Sequence, residues 1–158
     1  MPSEDPHADG YPTIAVDTAD VAEVRALFRE YADSLPFSLD FQDFEHELAE
    51  LPGPYAPPGG ALLLVHGAGC VGLRALDGST CEMKRLYVRP SARGRGIGRL
   101  LTEAVIAEAQ RLGYARMRLD STPGMEPAQA LYARLGFREI APYRVNPVPG
   151  TRFLELEL

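Results

Sequence analysis

Three glycines at alternate positions, Gly94, Gly96 and Gly98, are interleaved with Arg93, Arg95 and Arg99 and lead into a helical run. Glycine lets the backbone turn sharply and keeps side chains away from a ligand. The first turn of the helix that follows carries N–H groups with no intrahelical partner and a partial positive charge. With the arginines alongside, the segment is a cradle for phosphate. Spacing narrows the choice of ligand. A dinucleotide-binding G-x-G-x-x-G fails, because Arg99 stands at the third glycine counted from Gly94 and Leu101 stands there counted from Gly96. A P-loop fails because no Gly-Lys-Ser/Thr closes the glycines. The pattern that holds is Arg-x-x-Gly-x-Gly over Arg93, Gly96 and Gly98.

These residues must be positioned by a chain of 158 residues with a formal net charge of −6, which suits one compact domain and argues against a nucleic-acid partner. Against that acidic background Arg85, Arg89, Arg93, Arg95 and Arg99 crowd into one short stretch, a positive patch for a compact polyanion. Cys70 and Cys81 have no CxxC spacing and sit in apolar runs, so they read as small core residues. His7, His46 and His66 are scattered, and Glu45-His46-Glu47 lacks the second histidine of a zinc helix, so no metal is expected. Residues 1–12 are polar and rich in Pro and Gly, a mobile lead-in and not a signal peptide, with the domain over 13–158. No apolar run approaches the roughly 20 residues that span a bilayer. A cytoplasmic protein without a membrane role is expected.

Periodicity supplies the elements. A short strand over Thr13–Asp17 precedes a helix with Val21, Val24, Leu27, Phe28 and Tyr31 on one face, and Asp20 with Glu23 suits a capping box at its start. FQDFEHELAEL forms a second helix, closed by Pro52-Gly53. From Ala61 the period becomes that of strands: ALLLVHG, GCVGLRAL and STCEMKRLYV make an antiparallel meander with a turn at Asp77-Gly78. The glycine helix buries Leu101, Ala104, Val105, Ala109 and Leu112 and ends at Gly113. A strand YARMRLDS, a short helix PAQALYARL and the strands FREIAPY and TRFLELEL follow. The order is βααβββαβαββ, an α/β fold with one mixed, mostly antiparallel sheet flanked by helices.

The glycine signature after CEMKRLYV, the strand YARMRLDS and the block ALYARLGF together resemble the GCN5-related N-acetyltransferase (GNAT) family, over most of the chain from about Ala61 onward. The resemblance implies acetyl-CoA as acyl donor and transfer of its acetyl group to an amine. It implies that the backbone of Leu86, Tyr87 and Val88 binds the pantetheine arm. It implies that Arg93, Gly94, Arg95, Gly96, Ile97, Gly98 and Arg99 hold the pyrophosphate. Met125 departs from the family pattern, which often has an asparagine seven positions before the tyrosine of the short helix.

An alkyl ammonium, with a pKa near 10.4, must lose a proton before it attacks a thioester. Tyr132 matches the tyrosine that serves relatives as general acid beside the sulfur, with packing between helix and sheet as its other reading. Glu82, eleven residues before Arg93, matches the position of the glutamate base of the histone acetyltransferase branch. Strand alternation puts Glu82, Lys84, Leu86 and Val88 on one face, where Lys84 and Glu82 form either a salt bridge or a holder for a substrate carboxylate. Cys81 falls on the opposite face with no histidine to activate it, which favours direct attack by the amine. The N–H of Val88 is a candidate to polarise the carbonyl.

The acceptor pocket is expected between LPFSLDFQDF and YRVNPVPGT, with Phe37, Phe41, Gln42 and Tyr55 as lining, while Arg74, Lys84 and Arg144 each read first as solvated surface charge and otherwise as partners of a substrate carboxylate that would suit an amino-acid-like molecule. Phe41 and Phe44 equally suit the core by their helical spacing. The leading expectation is an acetyltransferase for a small-molecule primary amine. The alternatives are a protein acetyltransferase for a lysine or an N-terminus, and an acyl-CoA sensor without turnover. Exposed sheet edges leave a homodimer open.

Overall fold

The computed structural model describes residues 11–15 and 17–158, so most of the expected lead-in, His7 included, lies outside the described residues. Strands β1 (Thr13–Ile14), β2 (Ala61–Val65), β3 (Gly69–Ala75), β4 (Thr80–Val88), β5 (Arg116–Ser121), β6 (Arg138–Ile140) and β7 (Arg152–Glu157) form one sheet in the order β1-β2-β3-β4-β5-β7-β6. Every neighbouring pair is antiparallel except β4 with β5. The expected order and mixed sheet are found.

Helices cover both faces. On one, α3 (Ile97–Arg111) and α4 (Glu126–Arg134) pack over the central strands: Leu101, Val105 and Ala109 of α3 are fully buried against Val71, Leu73, Met83 and Met117. On the other, α1 (Thr18–Ser34) and α2 (Phe44–Glu50) bury Val24, Leu27, Phe28, Phe44 and Leu48 against Leu62, Leu64 and Cys70. Burying side chains of this size, at about 1.5–3 kcal/mol each, joins each helix layer to the sheet.

Two local expectations change. The α1 cap is Asp17, whose carboxylate accepts the Asp20 N–H at 2.8 Å. Glu23 instead reaches to His66 (2.7 Å) and the Gly67 N–H (2.6 Å), fastening α1 to the β2–β3 turn. The second helix is split: a 3-10 turn over Asp40–Gln42 ends at Asp43, which takes a left-handed conformation (φ 54°), and only then does α2 begin. That break turns Phe41 outward, 40% exposed, and Phe44 inward.

Glycine is required where β3 approaches β4. A Cβ at Gly69 would lie 2.4 Å from the Tyr87 carbonyl oxygen, a backbone atom that cannot move aside. Gly69→Ala is therefore expected to destabilise the protein by about 1–3 kcal/mol, read as a lower urea midpoint at unchanged slope.

Candidate active site

Strand β4 pairs with β5 only at Thr80↔Arg116, Cys81↔Met117 and Glu82↔Arg118. Past Glu82 the two strands part, although β5 runs on to Ser121 and β4 to Val88. The cause is local. The β3–β4 register slips between Cys70↔Tyr87 and Gly72↔Lys84, and Arg85, inside the slip, has φ 62°. This is a β-bulge, an extra residue that bends its strand.

The bulge also overturns the expected alternation. Before it, Cys81 and Met83 face α3 while Glu82 and Lys84 face α1 and α2; after it, Leu86 and Val88 face α3 and Tyr87 the other side. Lys84 and Arg85 therefore share the α1/α2 side, where Arg85 pairs with Glu47 at 3.0 Å and Lys84 donates to Gln42 at 2.9 Å. The Arg89 N–H donates to the Ala68 carbonyl on the β3 side at 2.7 Å. By strand alternation the polar groups of Val88, and of Leu86 two residues earlier, point to the open side. Arg93 Nε meets the Val88 carbonyl there at 3.1 Å.

A cleft of about 340 Å³ opens along this edge, lined by Leu86, Tyr87, Val88, Arg93, Gly94, Gly96 and Gly98 with α4 opposite. Gly94 (φ 82°) and Gly96 (φ 76°) are left-handed, and a Cβ on either would meet no protein atom within 4 Å, so the cradle stays clear on its ligand side. Gly96 caps α3 without a side chain, leaving the N–H groups of Ile97, Gly98 and Arg99 for an anion. The cleft thus fits a pantetheine chain leading to a pyrophosphate. The arginine patch is smaller than expected. Arg85 is buried on Glu47, and Arg89 is held by Glu30 at 2.8 Å, which leaves Arg93 and Arg95 at the loop together with Arg99, exposed and paired with Glu103 at 2.8 Å.

A second cavity continues from the first through shared walls, Tyr31, Leu86, Met125 and Ala128, into the gap between β4 and β5. Phe37, Phe41, Gln42, Lys84, Asp120, Tyr132 and Asn146 also line it. The expected Tyr55 does not: it is fully buried edge-on to Phe28, its hydroxyl donating to Glu47 at 3.1 Å. Tyr132, 5% exposed, stacks at a tilt on Phe137 with centroids 5.5 Å apart, and burial pushes its hydroxyl pKa up. It keeps its proton at neutral pH. Met125, at the start of α4, lines both cavities and adds no polar side chain.

Glu82 is elsewhere. It is fully buried and lines neither cavity. Its Oε1 accepts from Arg74 at 2.9 Å; its Oε2 accepts from the Tyr143 hydroxyl at 2.6 Å and from Arg144. Burial opposes its charge, but Lys84 nearby and the hydrogen bonds from Arg144 and Tyr143 outweigh it, and the carboxyl stays below its usual range. A carboxylate enclosed by three donors and held below its usual range is poorly disposed to take a proton, and the geometry does not favour the general-base role expected for it. Arg74 and Arg144, expected to meet a substrate carboxylate, meet this internal one. Lys84 is only 7% exposed; burial first, then the charge of Arg85, lowers its pKa to about 8. Cys81 is fully buried, its thiol pushed up to about 12 by burial, and Cys70 is raised for the same reason, so neither offers a thiolate.

Compared with known proteins, residues 22–137 match the Acetyltransferase (GNAT) family. The chain belongs to the GNAT family. It is similar to the N-acetyltransferase C1271.07c of Schizosaccharomyces pombe, 39% identical over 145 residues that cover 88% of this chain and 89% of that one. Its fold is that of an acetyltransferase from Streptococcus agalactiae (TM-score 0.72, 19% identity, 95% and 99% of the two chains). It is also that of yncA from Salmonella typhimurium, solved with its cofactor acetyl-CoA (TM-score 0.63, 23% identity, 92% and 93%). The protein is therefore a CoA-dependent N-acyltransferase.

Within this GNAT scaffold Tyr31 and Asp120 line the cavity beside Lys84 without having been singled out for it by the sequence pattern. Tyr31 was assigned to the buried stripe of α1. Asp120 was legible in principle, since alternation along RMRLDS buries Met117, Leu119 and Ser121 and turns Asp120 to the opposite face.

The lowered pKa of Glu82 sets an acid limit. A carboxyl below its unfolded value, near 4.5, adds stability that is complete above that pH and is lost as pH falls through the folded value. Denaturation midpoints should fall steeply below about pH 4.5 in the wild-type protein. Glu82→Gln, which leaves Arg74 and Arg144 without their anion, should be less stable at pH 7 and flatter in acid; equal slopes would remove the assignment.

Proposed function

We propose that the protein transfers the acetyl group of acetyl-CoA directly to the primary amine of a small molecule. The observation that carries this reading is the continuity of the two cavities: a glycine-lined phosphate cradle runs along the free edge of β4 into a polar chamber walled by Tyr132, Lys84 and Asp120. The chamber draws its walls from the segment before α2, both diverging strands, α4 and the loop before β7. Such enclosure suits a small acceptor better than a polypeptide segment.

The bound donor supplies an activated acyl carbon in its thioester. The chain's part is placement and electrostatics. Leu86 and Val88 present backbone groups at the open edge to hold the pantetheine arm and orient the carbonyl. Arg93, Arg95 and Arg99, with Gly94, Gly96, Ile97 and Gly98, hold the pyrophosphate. Asp120, half-buried and fixed by Asn146 at 3.2 Å, takes the place once expected for Glu82: it receives the acceptor's ammonium, whose proton passes to water at the cavity mouth. The amine nitrogen then bonds to the acyl carbon as the carbon–sulfur bond breaks, and the second proton of the nitrogen ends on the departing thiolate, leaving amide and free thiol. Tyr132, holding its proton tightly, donates a hydrogen bond to the departing sulfur.

Tyr132→Phe is expected to lower kcat by about 10²-fold, in the range found for one lost donor, while acetyl-CoA affinity measured by calorimetry stays within about twofold. Unchanged turnover would remove Tyr132 from the chemistry. Gly96→Glu puts a side chain and a negative charge into the cradle at a left-handed position and is expected to abolish acetyl-CoA binding. Normal binding would displace the donor from this cleft.

A further inference from the structure

On the α1/α2 side of the sheet, charge is unevenly matched. Arg74 and Arg144 share Glu82, and Arg85 pairs with Glu47. Farther along that face Arg118 pairs with Glu155 at 2.7 Å. Lys84 is the deeply buried cation of that face with no ion pair of its own at contact distance among the described residues, and its hydrogen-bond partner is the neutral Gln42 side chain at 2.9 Å. Lys84 is nevertheless only 7% exposed and lies on the wall of the acceptor chamber. A buried ammonium held by a neutral amide gains most from an anion brought in by a ligand. The neighbouring guanidinium of Arg85 strengthens that pull, and with burial it loosens the hold of Lys84 on its proton.

The chamber also holds the complementary charge. Asp120 lies on the β5 wall and Lys84 on the β4 wall, so the two diverging strands present opposite charges to one space. We propose that the acceptor is an amino acid or a molecule of that kind, its carboxylate held by Lys84 with Gln42 and its ammonium by Asp120 with Asn146. This rests on the acetyl-transfer reading of the same cleft. A simple alkyl amine would leave Lys84 with only a share of the Glu82 charge, which Arg74 and Arg144 already draw on, and would place two ammonium groups together. A polyamine would add further repulsion. An amino acid neutralises both walls at once and sets its amine on the side from which the donor enters.

The test uses the full chain with acetyl-CoA and follows thiol release from the standard amino acids, their carboxamides and the matching decarboxylated amines. At least one amino acid should exceed its two carboxylate-free partners by tenfold or more in kcat/KM, the size expected for one charge-assisted hydrogen bond. Lys84→Met should erase that preference by raising KM for the acid while the acetyl-CoA affinity found by calorimetry is kept. Should that variant fold poorly, Gln42→Glu, at a half-buried position, supplies Lys84 with a carboxylate from within and should erase the preference the same way. Carboxylate-free amines used as well as or better than the acids, no release with any amino acid, or a preference that survives Gln42→Glu, would overturn the inference. Acetyl-CoA binding with turnover of carboxylate-free amines would leave the acetyl-transfer reading standing. Loss of acetyl-CoA binding in the wild type would overturn both.

Discussion

The parting of β4 from β5 is the constraint around which the molecule is arranged. A sheet normally satisfies its backbone by pairing, and an unpaired row of N–H and C=O groups inside a domain is costly unless something else meets it. Here the bulge at Arg85 bends β4 away after Glu82↔Arg118, and the freed edge of Leu86 and Val88 opens into a cleft. Parallel pairing, which needs a crossover helix between the strands, places α3 between β4 and β5 in the chain. The same connection that makes the pair parallel puts the N-terminus of α3, with its unpaired donors, beside the gap. The phosphate cradle and the pantetheine edge thus follow from one topological step.

The bulge needs support of its own. A non-glycine residue at positive φ costs about 1–3 kcal/mol, and the Arg85 side chain is where that cost is met. Its guanidinium is buried, paired with Glu47 and set over the Phe44 ring 5.2 Å away. Glu47 also accepts from Tyr55, whose ring fills the space beside Gly72 left by the missing side chain. Helix α2, seated by Phe44 and Leu48, is also tied to the sheet through this ion pair. The helix that follows the chamber-lining segment Phe37–Gln42 and the strand distortion that opens the chamber are thereby coupled.

Much of this was legible in the sequence, for identifiable reasons. Long periodic segments gave the strands and helices in order, and the Arg93–Gly98 spacing with ALYARLGF pointed to the donor cradle, because backbone geometry there depends on glycine. The faces of β4 were misread because alternation assumes an unbroken strand, and nothing in CEMKRLYV announces a residue at positive φ. That single slip moved Leu86 and Val88 to the opposite side from Glu82 and Lys84. Tyr55 was misassigned because an aromatic in a Pro/Gly-rich loop reads as surface until a glycine on a neighbouring strand makes room for its ring. The partners of Glu82, namely Arg74, Tyr143 and Arg144, come from segments eight to 62 residues away, and no local pattern reports them.

Glu82 shows how position in a strand can mislead about chemistry. A carboxylate three residues before the bulge lies where the strands are still paired, and the closed ladder keeps substrate away from it. The same charge on β5 at Asp120 lies past the last rung, where the gap has opened. Access to the reacting centre is therefore decided by which side of Glu82↔Arg118 a residue falls on. Before that rung, polar side chains satisfy one another: Glu82 with Arg74, Tyr143 and Arg144, and Arg118 with Glu155. After it, among the described residues, the side chains of Lys84 and Asp120 hydrogen-bond to amides, Gln42 and Asn146. An amide orients a charge without cancelling it, and the Glu82 carboxylate near Lys84 is already shared by Arg74 and Arg144, so both groups keep charge to use on a ligand.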